Sequence, residues 1–285
     1  MISISKGDKN TMRKKRGFLV VLMIACILAG CAEMNQTTKA SSSPVMDRVI
    51  SRGELRVGVS GDMPPMNLLT KEDKVIGMDV DLATMIAESM GVKLNLQRID
   101  FAGLLPALES GSIDMILSNM TMTPDRNLKV AFVGPYFTSG KAFLTKRSSI
   151  AQARGLPDVN SPQYTFAALK GSTSAEVVRK GAPQAKLLTA DTQNDAIQMV
   201  IDGKADAMIA DYPICVVGMY RNPAAGLVSV VAPITYEPIG IAVPKSDPLL
   251  LNWLGNFLNS LEKAGYMDGL KEKWFAQPTW LPQMK

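Results

Sequence analysis

The segment Gly111-Ser112-Ile113-Asp114-Met115-Ile116-Leu117 has a counterpart later in the chain, Gly203-Lys204-Ala205-Asp206-Ala207-Met208-Ile209. In both segments a glycine ends a predicted helix, and a strand follows with aspartate near its start. The two aspartates lie 92 residues apart, an interval the size of a domain rather than of a solenoid repeat. The sequence therefore predicts two similar lobes, although a chance likeness between two strand starts would produce the same pattern.

Strands and helices alternate around the first segment. Apolar residues at helical spacing predict a helix over Gly77–Met90, and Pro124 marks the first position of another. A further helix is predicted over 101–110, with strands over 54–59, 92–96 and 113–117. This alternation predicts an α/β fold in which each lobe is a mainly parallel sheet flanked by helices.

Polar residues follow the two matching strands directly. They are Ser118-Asn119-Met120-Thr121 after the first strand and Asp211-Tyr212 after the second. Open α/β sheets bind ligands beyond the carboxyl ends of their strands. Two lobes that face each other would therefore form a ligand cleft between these strand ends.

Composition narrows the possible functions. The chain of 285 residues is 47% hydrophobic and 20% charged, so it can bury a core, and it contains no histidine. Without histidine, Ser-His-Asp catalysis, histidine general bases and histidine metal sites are excluded. We expect no metal and no cofactor.

The net charge of +5 belongs to the first thirty residues, which hold six basic residues and one aspartate. The rest of the chain is neutral overall, so there is no general basic excess for nucleic acid. Beyond residue 30 no apolar run is long enough to span a bilayer.

Residues 1–30 have the form of a bacterial export signal. A basic segment ending at Arg16 precedes the thirteen-residue apolar run Phe18–Gly30, which is too short to span a membrane. The run leads into Leu28-Ala29-Gly30-Cys31, which resembles a lipobox and implies cleavage before Cys31 and lipid attachment to it. An ordinary secretory signal followed by an incidental cysteine is the alternative. Residues 31–45 are polar and predict a flexible tether.

The segment Gly77-Met78-Asp79-Val80-Asp81-Leu82 resembles the signature of bacterial extracellular solute-binding proteins of family 3, the polar amino-acid binders of ABC importers. Further matches, in order along the chain, are Leu105-Pro106-Ala107-Leu108, Thr121-Met122-Thr123-Pro124-Asp125-Arg126, Gly171-Ser172-Thr173, Gly240-Ile241-Ala242-Val243-Pro244-Lys245 and Lys273-Trp274-Phe275. The resemblance implies a type II periplasmic-binding-protein-like fold, a free amino acid as ligand and an ABC permease as partner. It also implies an extracytoplasmic monomer, here anchored to the membrane through Cys31.

The resemblance also implies a ligand site. Arg126 would bind the ligand carboxylate, assisted by Ser172 and Thr173 at a helix start in the second lobe. Asp211 would bind the ammonium, with the Thr121 hydroxyl and the Asn119 backbone carbonyl as further acceptors. Each residue also has a plain structural alternative: a solvated surface arginine for Arg126, a helix cap for Thr173 and a helix cap for Asp211.

The side-chain pocket departs from the family pattern. Ser60 stands where an acid is frequent, and Met63 and Met66 stand where aromatic residues are frequent, while Phe101 keeps an aromatic ring across the cleft. Adaptable methionines and the missing acid favour a polar or uncharged ligand side chain. Whether Asp62, two residues after Ser60, points into the cleft stays open at this point.

Small residues and a proline predict two hinge crossings, near Thr138–Lys141 and Thr235–Pro238. The predicted lobes are therefore 46–139 with 236–285, and 140–235. Ligand binding would close the hinge, and the importer would recognise the closed form. The same fold also hosts cyclohexadienyl dehydratases, so an enzyme of that type is the alternative; it would need a general acid in the cleft, with Glu237 and Asp62 as candidates.

Overall fold

The computed structural model describes residues 43–229 and 234–285. The predicted signal peptide, Cys31 and residues 31–42 of the predicted tether lie outside these described residues. No helix in the described ranges combines the length and apolar character needed to cross a membrane.

Thirteen strands lie in the described chain. They are β1 (Glu54–Val59), β2 (Asp62–Met63), β3 (Asn67–Leu69), β4 (Val75–Ile76), β5 (Lys93–Arg98), β6 (Met115–Ile116), β7 (Ala131–Ser139), β8 (Lys141–Thr145), β9 (Thr165–Leu169), β10 (Lys186–Ala190), β11 (Ala207–Asp211), β12 (Val228–Ser229) and β13 (Glu237–Val243).

Ten α-helices accompany these strands in the same ranges. They are α1 (Pro44–Arg52), α2 (Met78–Ser89), α3 (Phe101–Glu109), α4 (Pro124–Asn127), α5 (Ser148–Ala151), α6 (Thr173–Gly181), α7 (Gln193–Ile201), α8 (Tyr212–Arg221), α9 (Pro248–Lys263) and α10 (Tyr266–Lys271). A π-helical turn, Glu272–Ala276, follows α10.

The strands form two five-stranded sheets and one small antiparallel sheet. The first sheet has the order β5-β1-β6-β13-β7, the second has the order β10-β9-β11-β8-β12, and the small sheet is β2-β3-β4. In each large sheet the first three strands are parallel, and the fourth strand runs antiparallel to both of its neighbours. The two-lobed α/β fold predicted from the sequence is confirmed, with antiparallel strands added at one side of each sheet.

Two short crossings connect the sheets. The chain leaves the first sheet at Ser139 and enters the second at Lys141, and it is back in the first sheet at Glu237. The first crossing leads from β7, which runs in the same direction as β6, into β8, which runs antiparallel to β11.

The folded part begins earlier than the sequence predicted. Helix α1 starts at Pro44, and Ser43 and Val45 are buried, whereas the sequence assigned residues up to 45 to the tether. The carboxylate of Asp247 accepts hydrogen bonds from the Ser43 hydroxyl and the backbone N–H of Val45. Polar composition suggested a tether here because this distant partner, at the start of α9, is not visible in the local sequence.

The two matching aspartates have the same structural role. Asp114 accepts a 2.9 Å hydrogen bond from the backbone N–H of Arg56, and Asp206 accepts a 2.7 Å bond from the N–H of Thr165. Each therefore ties the start of its own strand to the neighbouring parallel strand, β1 for Asp114 and β9 for Asp206. The likeness between the two segments thus reflects equivalent positions in the two sheets.

A buried carboxylate at the start of α2 connects the loops beneath the cleft. Asp79 is fully buried and accepts hydrogen bonds from Asn67 Nδ2 at 2.7 Å, the Asn119 backbone N–H at 3.0 Å and the Tyr136 hydroxyl at 2.6 Å. Gly77 permits the close approach, since its φ is +143° and a Cβ would lie 2.2 Å from the carbonyl oxygen of Met66. Burial raises the pKa of Asp79 from 3.8 to about 6 despite the three donors.

This shift predicts a pH dependence of stability. Because the pKa of Asp79 is higher in the folded protein than in the unfolded chain, the folded state gains about 3 kcal/mol when Asp79 is protonated. That contribution is present below about pH 4 and disappears as the pH rises to about 6. Asp79→Asn removes the titration, so the stability of the wild type relative to this variant should fall by about 3 kcal/mol between pH 4 and pH 7. Urea unfolding of both proteins across this range measures it, and parallel curves would contradict the assignment.

Candidate functional site

The carboxyl ends of the matching strands meet between the lobes. Asn119 follows β6 and Asp211 ends β11, and Asn119 Nδ2 donates a 2.8 Å hydrogen bond to Asp211 Oδ2. Asn119 has a positive φ of 50°, and its backbone N–H is held by Asp79. The predicted convergence of the two strand ends is therefore present, and the Asn119 side chain takes part in it.

Arg126 joins the two lobes. Its Nη1 donates to the Thr121 carbonyl oxygen at 2.8 Å, and its Nη2 donates to the Gly171 carbonyl oxygen at 3.2 Å. The guanidinium lies over the Phe101 ring, 5.6 Å from the centroid. Thr123 caps the short helix α4 and so fixes the position of Arg126.

Arg126 is a buried cation. Arg126 is only 9% exposed, so it is not a solvated surface arginine. Desolvation lowers its pKa to about 10, which still leaves it charged at neutral pH. Within residues 43–229 and 234–285 it forms no ion pair with a carboxylate. A buried guanidinium with only carbonyl partners can bind an anion between the lobes.

Asp211 already contacts a cation that the sequence analysis did not assign to the site. Lys141 Nζ lies 3.1 Å from Asp211 Oδ1 and 3.4 Å from Glu237 Oε2, and Lys141 is only 2% exposed. Asp211 makes no side-chain hydrogen bond to the start of α8, so it is not the helix cap that was the alternative. Lys141 therefore already supplies a cation to this buried carboxylate.

Glu237 lies at the centre of the contacts between the lobes. Its Oε2 accepts hydrogen bonds from the Thr121 hydroxyl at 2.8 Å and the Thr173 hydroxyl at 2.9 Å. Its Oε1 accepts one from Thr235 at 2.9 Å. Desolvation raises the pKa of Glu237, but Lys141 and the three hydroxyls outweigh it and keep the pKa below its ordinary value. Glu237 is therefore ionised at neutral pH.

The helix start in the second lobe differs from the prediction in one detail. The residue that caps α6 is Ser172, whose hydroxyl accepts a hydrogen bond from the Ala175 N–H at 3.3 Å. The same hydroxyl donates to the Leu169 carbonyl oxygen, so it is engaged within its own lobe. Thr173 was the predicted cap; instead it faces Glu237 and lies 3.3 Å from the Thr121 hydroxyl. Of this pair, Thr173 reaches the other lobe.

A cavity of about 360 Å³ is lined by Phe101, whose ring lies beneath the Arg126 guanidinium. Ser60, Asp62 and Phe101 line it from the first lobe, and Gln193 lines it from the second. Asp62 Oδ2 accepts a 3.1 Å hydrogen bond from the backbone N–H of Gln193, so Asp62 faces the other lobe. Desolvation raises the pKa of Asp62.

The two methionines that were predicted to line the pocket have different surroundings. Met63 contacts the second lobe, because Gln193 Nε2 donates to its sulfur at 3.3 Å. Met66 is buried in the hydrophobic core and does not line the cavity. Ser60 bonds to Asn67 Oδ1 at 3.1 Å, which places its hydroxyl at the edge of the cavity.

Sequence reasoning missed Lys141 and Gln193 as site residues. Lys141 opens an otherwise apolar strand, and a charged residue in such a strand is a signal that could have been followed. Gln193 carries no comparable signal, since a polar residue after a threonine cap is typical of any helix start.

The sequence of this chain matches a known protein family and several known proteins. The sequence model for bacterial extracellular solute-binding proteins, family 3, matches residues 55–277. The ABC transporter glutamine-binding protein GlnH of Bacillus subtilis is 27% identical over 264 residues, which cover 91% of this chain and 94% of GlnH. The cyclohexadienyl dehydratase of Pseudomonas aeruginosa is 26% identical over 229 residues, covering 80% and 85% of the two chains.

A solved structure is similar over the same region. It is described as a putative binding component of an ABC transporter from Wolinella succinogenes complexed with lysine. It is 39% identical, with a TM-score of 0.77, and the match covers 81% of this chain and 99% of that one. Amino-acid-binding proteins predominate among these relatives.

The Lys141 contacts predict a stability effect. Lys141→Met leaves Asp211 and Glu237 buried without their cation and should cost about 3–5 kcal/mol of unfolding free energy. Lys180→Met, at a side chain that is 73% exposed, is the matched control and should cost less than about 1 kcal/mol. Guanidinium unfolding measures both. Equal effects of the two substitutions would contradict the role of Lys141, and Asp211→Asn added to Lys141→Met should recover part of the loss.

Proposed function

The chain belongs to the bacterial extracellular solute-binding proteins of family 3, and we propose that it binds a free amino acid between its lobes and delivers it to an ABC permease. The observation that carries the proposal is the buried guanidinium of Arg126, which forms no ion pair with a carboxylate of the described residues. It lies on the same interlobe surface as the carboxylates of Asp211 and Glu237. A free amino acid is a zwitterion, so its carboxylate can pair with the guanidinium and its ammonium can pair with the carboxylates.

The carboxylate end of the ligand would be held by Arg126. A planar guanidinium can donate two parallel hydrogen bonds to a carboxylate. Thr121 and Thr173 lie within reach as hydroxyl groups from the two lobes, since they contact each other. A ligand carboxylate at this place would therefore be bound from both lobes at once.

The ammonium end would be shared by Asp211 and Glu237. These two carboxylates balance the two cations Arg126 and Lys141, so the protein's own site charges sum to zero. A zwitterion keeps that sum unchanged, because its carboxylate and its ammonium cancel. A ligand with only one of the two charges would leave a buried charge without compensation, which is costly.

The ligand side chain would enter the neighbouring cavity. Its walls include the Phe101 ring and the polar groups of Ser60, Asp62 and Gln193. The sequence favoured a polar or uncharged side chain, and this mixture of polar and aromatic walls supports a polar one.

Delivery would depend on hinge closure. Ligand bonds from both lobes stabilise the arrangement in which Asn119 meets Asp211 and Thr173 meets Glu237. The permease would then recognise the surface that the two closed lobes form together. Because closure depends on the ligand, this surface would form only when the amino acid is bound.

The chain is a binding protein and not an enzyme, as its family relatives indicate. A dehydratase of the related type would need a proton donor in the cleft. Glu237 does not suit that task, because Lys141 and three hydroxyls keep its pKa below the ordinary value.

Removing the guanidinium tests the proposed site. Arg126→Ala should weaken amino-acid binding by about 3 kcal/mol or more, because the ligand carboxylate would stay buried without its cation. A thermal-shift screen of the purified protein with the common amino acids identifies the ligand, and calorimetry then compares the variants. Arg154→Ala, at a side chain that is 93% exposed, is the control and should bind as the wild type does. Unchanged affinity in Arg126→Ala would remove Arg126 from the site.

We also propose that the mature protein is an extracytoplasmic monomer anchored through a lipid on Cys31, and the lipobox-like sequence before that residue supports this. In a bacterial host, Cys31→Ser should abolish incorporation of radiolabelled palmitate and release the protein from the membrane fraction. Cys215→Ser, at a buried cysteine within α8, should leave both unchanged. Palmitate incorporation that persists in Cys31→Ser would contradict the anchor.

A further inference from the structure

A second cavity lies beside the two hinge crossings, outside the proposed amino-acid site. Its volume is about 970 Å³, a size typical of small-molecule sites. Ser139 and Gly140 line it from the first crossing, and Thr235 and Tyr236 line it from the second. None of the residues assigned to the amino-acid site lines this hinge cavity, so a molecule bound in it would be additional to the amino acid.

Both lobes form the walls of the hinge cavity. The second lobe contributes helix α8, through Tyr212 and Tyr220, and the first lobe contributes residues of the C-terminal segment 275–281. Phe137 of β7 also lines the cavity and stacks on Phe275, with the ring centroids 4.6 Å apart. This stacking holds the two rings in place before any ligand arrives. A molecule in the cavity would therefore contact both lobes and both crossings at once.

The lining of the hinge cavity is aromatic and uncharged. It includes three of the chain's six tyrosines, two of its eight phenylalanines and one of its three tryptophans, namely Phe137, Tyr212, Tyr220, Tyr236, Phe275 and Trp280. Among the described residues that line it there is no aspartate, glutamate, lysine or arginine. A charged ligand would lose hydration here without gaining an ion-pair partner, whereas an aromatic ring could pack against these rings by face or edge.

Two of the tyrosines in this lining are largely open to solvent. Tyr236 is 71% exposed and Tyr220 is 67% exposed. An aromatic ligand would bury ring surface of both, which is favourable because apolar surface is removed from water. Residues 31–42, the part of the predicted tether outside the described residues, contain no aromatic side chain that could do the same. A small aromatic molecule therefore fits the hinge cavity better than the tether does.

Hydrogen bonds link the hinge cavity to the charged residues of the cleft. Gly140, Tyr212 and Tyr236 line the cavity, and each is adjacent in sequence to one of those charged residues, namely Lys141, Asp211 and Glu237. The Tyr212 N–H donates to the Gly140 carbonyl oxygen at 2.8 Å. The Thr235 hydroxyl accepts a 3.0 Å bond from the Lys141 N–H and donates to Glu237 Oε1 at 2.9 Å. A molecule that fixes these walls would therefore also fix the backbone that carries the cleft charges.

We propose that the hinge cavity is a second ligand site, which binds an uncharged aromatic molecule and thereby favours the closed arrangement of the lobes. Because both lobes form its walls, opening of the hinge separates these walls, and the ligand binds the closed arrangement more tightly. This coupling is reciprocal, so the aromatic molecule and the amino acid each strengthen the binding of the other. The effect on the amino acid rests on the proposed function, whereas the site itself does not.

Photochemical labelling of the full chain without amino acid tests the site. Benzophenone is an uncharged aromatic ketone that bonds to nearby C–H groups when it is irradiated, and its para-carboxylate is the same ring system with a charge. Mass spectrometry should place benzophenone adducts within 212–220, 235–236 or 275–281, and the adducts should saturate as the benzophenone concentration rises. At equal concentration the carboxylate should label these segments at least about tenfold less.

Variants of the exposed rings link the adducts to the hinge cavity. Tyr220→Ala combined with Tyr236→Ala should reduce labelling of 275–281 at least about tenfold, because two walls of the cavity are lost. Tyr266→Ala, at a tyrosine that is 59% exposed and lies outside the cavity, is the matched control and should be labelled as the wild type is. Thermal unfolding without ligand checks that the double variant folds, since exposed side chains contribute little to stability.

Three results would overturn the proposal. Adducts spread over the exposed surface, or labelling that persists in the double variant, would show that the hinge cavity is not the site. A dimer in sedimentation that the double variant loses would show that a second copy of the chain covers this face instead of a small molecule. Calorimetry tests the coupling: saturating benzophenone should tighten binding of the amino acid found by the thermal-shift screen at least about threefold, and an unchanged affinity would overturn the effect on closure.

Discussion

The carboxylate of Asp79 is the contact on which the architecture of the cleft depends. It has no solvent contact, and its three donors come from Asn67, the Asn119 backbone and Tyr136, which lie on separate segments. Asn67 in turn positions Ser60 and Gly61, while Tyr136 belongs to β7, the strand that leads to the hinge. The Asp79 carboxylate thus fixes the segments that contain Asn67 and Asn119 relative to β7, which leads into the hinge. Its raised pKa is the consequence, because three hydrogen bonds do not fully replace hydration.

Charge balance is the second constraint. The interlobe surface buries Arg126, Lys141, Asp211 and Glu237, and each sign occurs twice. Lys141 and Asp211 are direct neighbours in the antiparallel register of β8 and β11. That pairing allows the second lobe to present a carboxylate toward the first lobe without an isolated buried charge. Asp62 differs from these four residues, because it is desolvated and forms no ion pair within the described residues.

Much of the fold could be predicted from the sequence because the relevant signals are local. The matching segments around Asp114 and Asp206 predicted two lobes, and the polar residues after them predicted the meeting of Asn119 and Asp211. The errors have non-local causes. The cation beside Asp211 depends on strand register, and the early start of the fold depends on Asp247, which is distant in sequence. Ser172 caps α6 instead of Thr173 because its hydroxyl fits between Leu169 and Ala175, which spacing alone could not resolve.

The pairing of acids in the cleft also explains why a scaffold shared with a dehydratase can serve binding alone. Proton transfer needs a carboxyl group that is neutral at the working pH and free to give up its proton. Here Glu237 is surrounded by an ammonium and three hydroxyls, all of which stabilise its anion. The contacts that join the lobes therefore also prevent Glu237 from acting as a proton donor. Each hydrogen-bond donor that strengthens closure lowers the pKa of the carboxyl group to which it binds. Conversion of such a site to catalysis would require a carboxyl group whose donors are lost while its burial is kept.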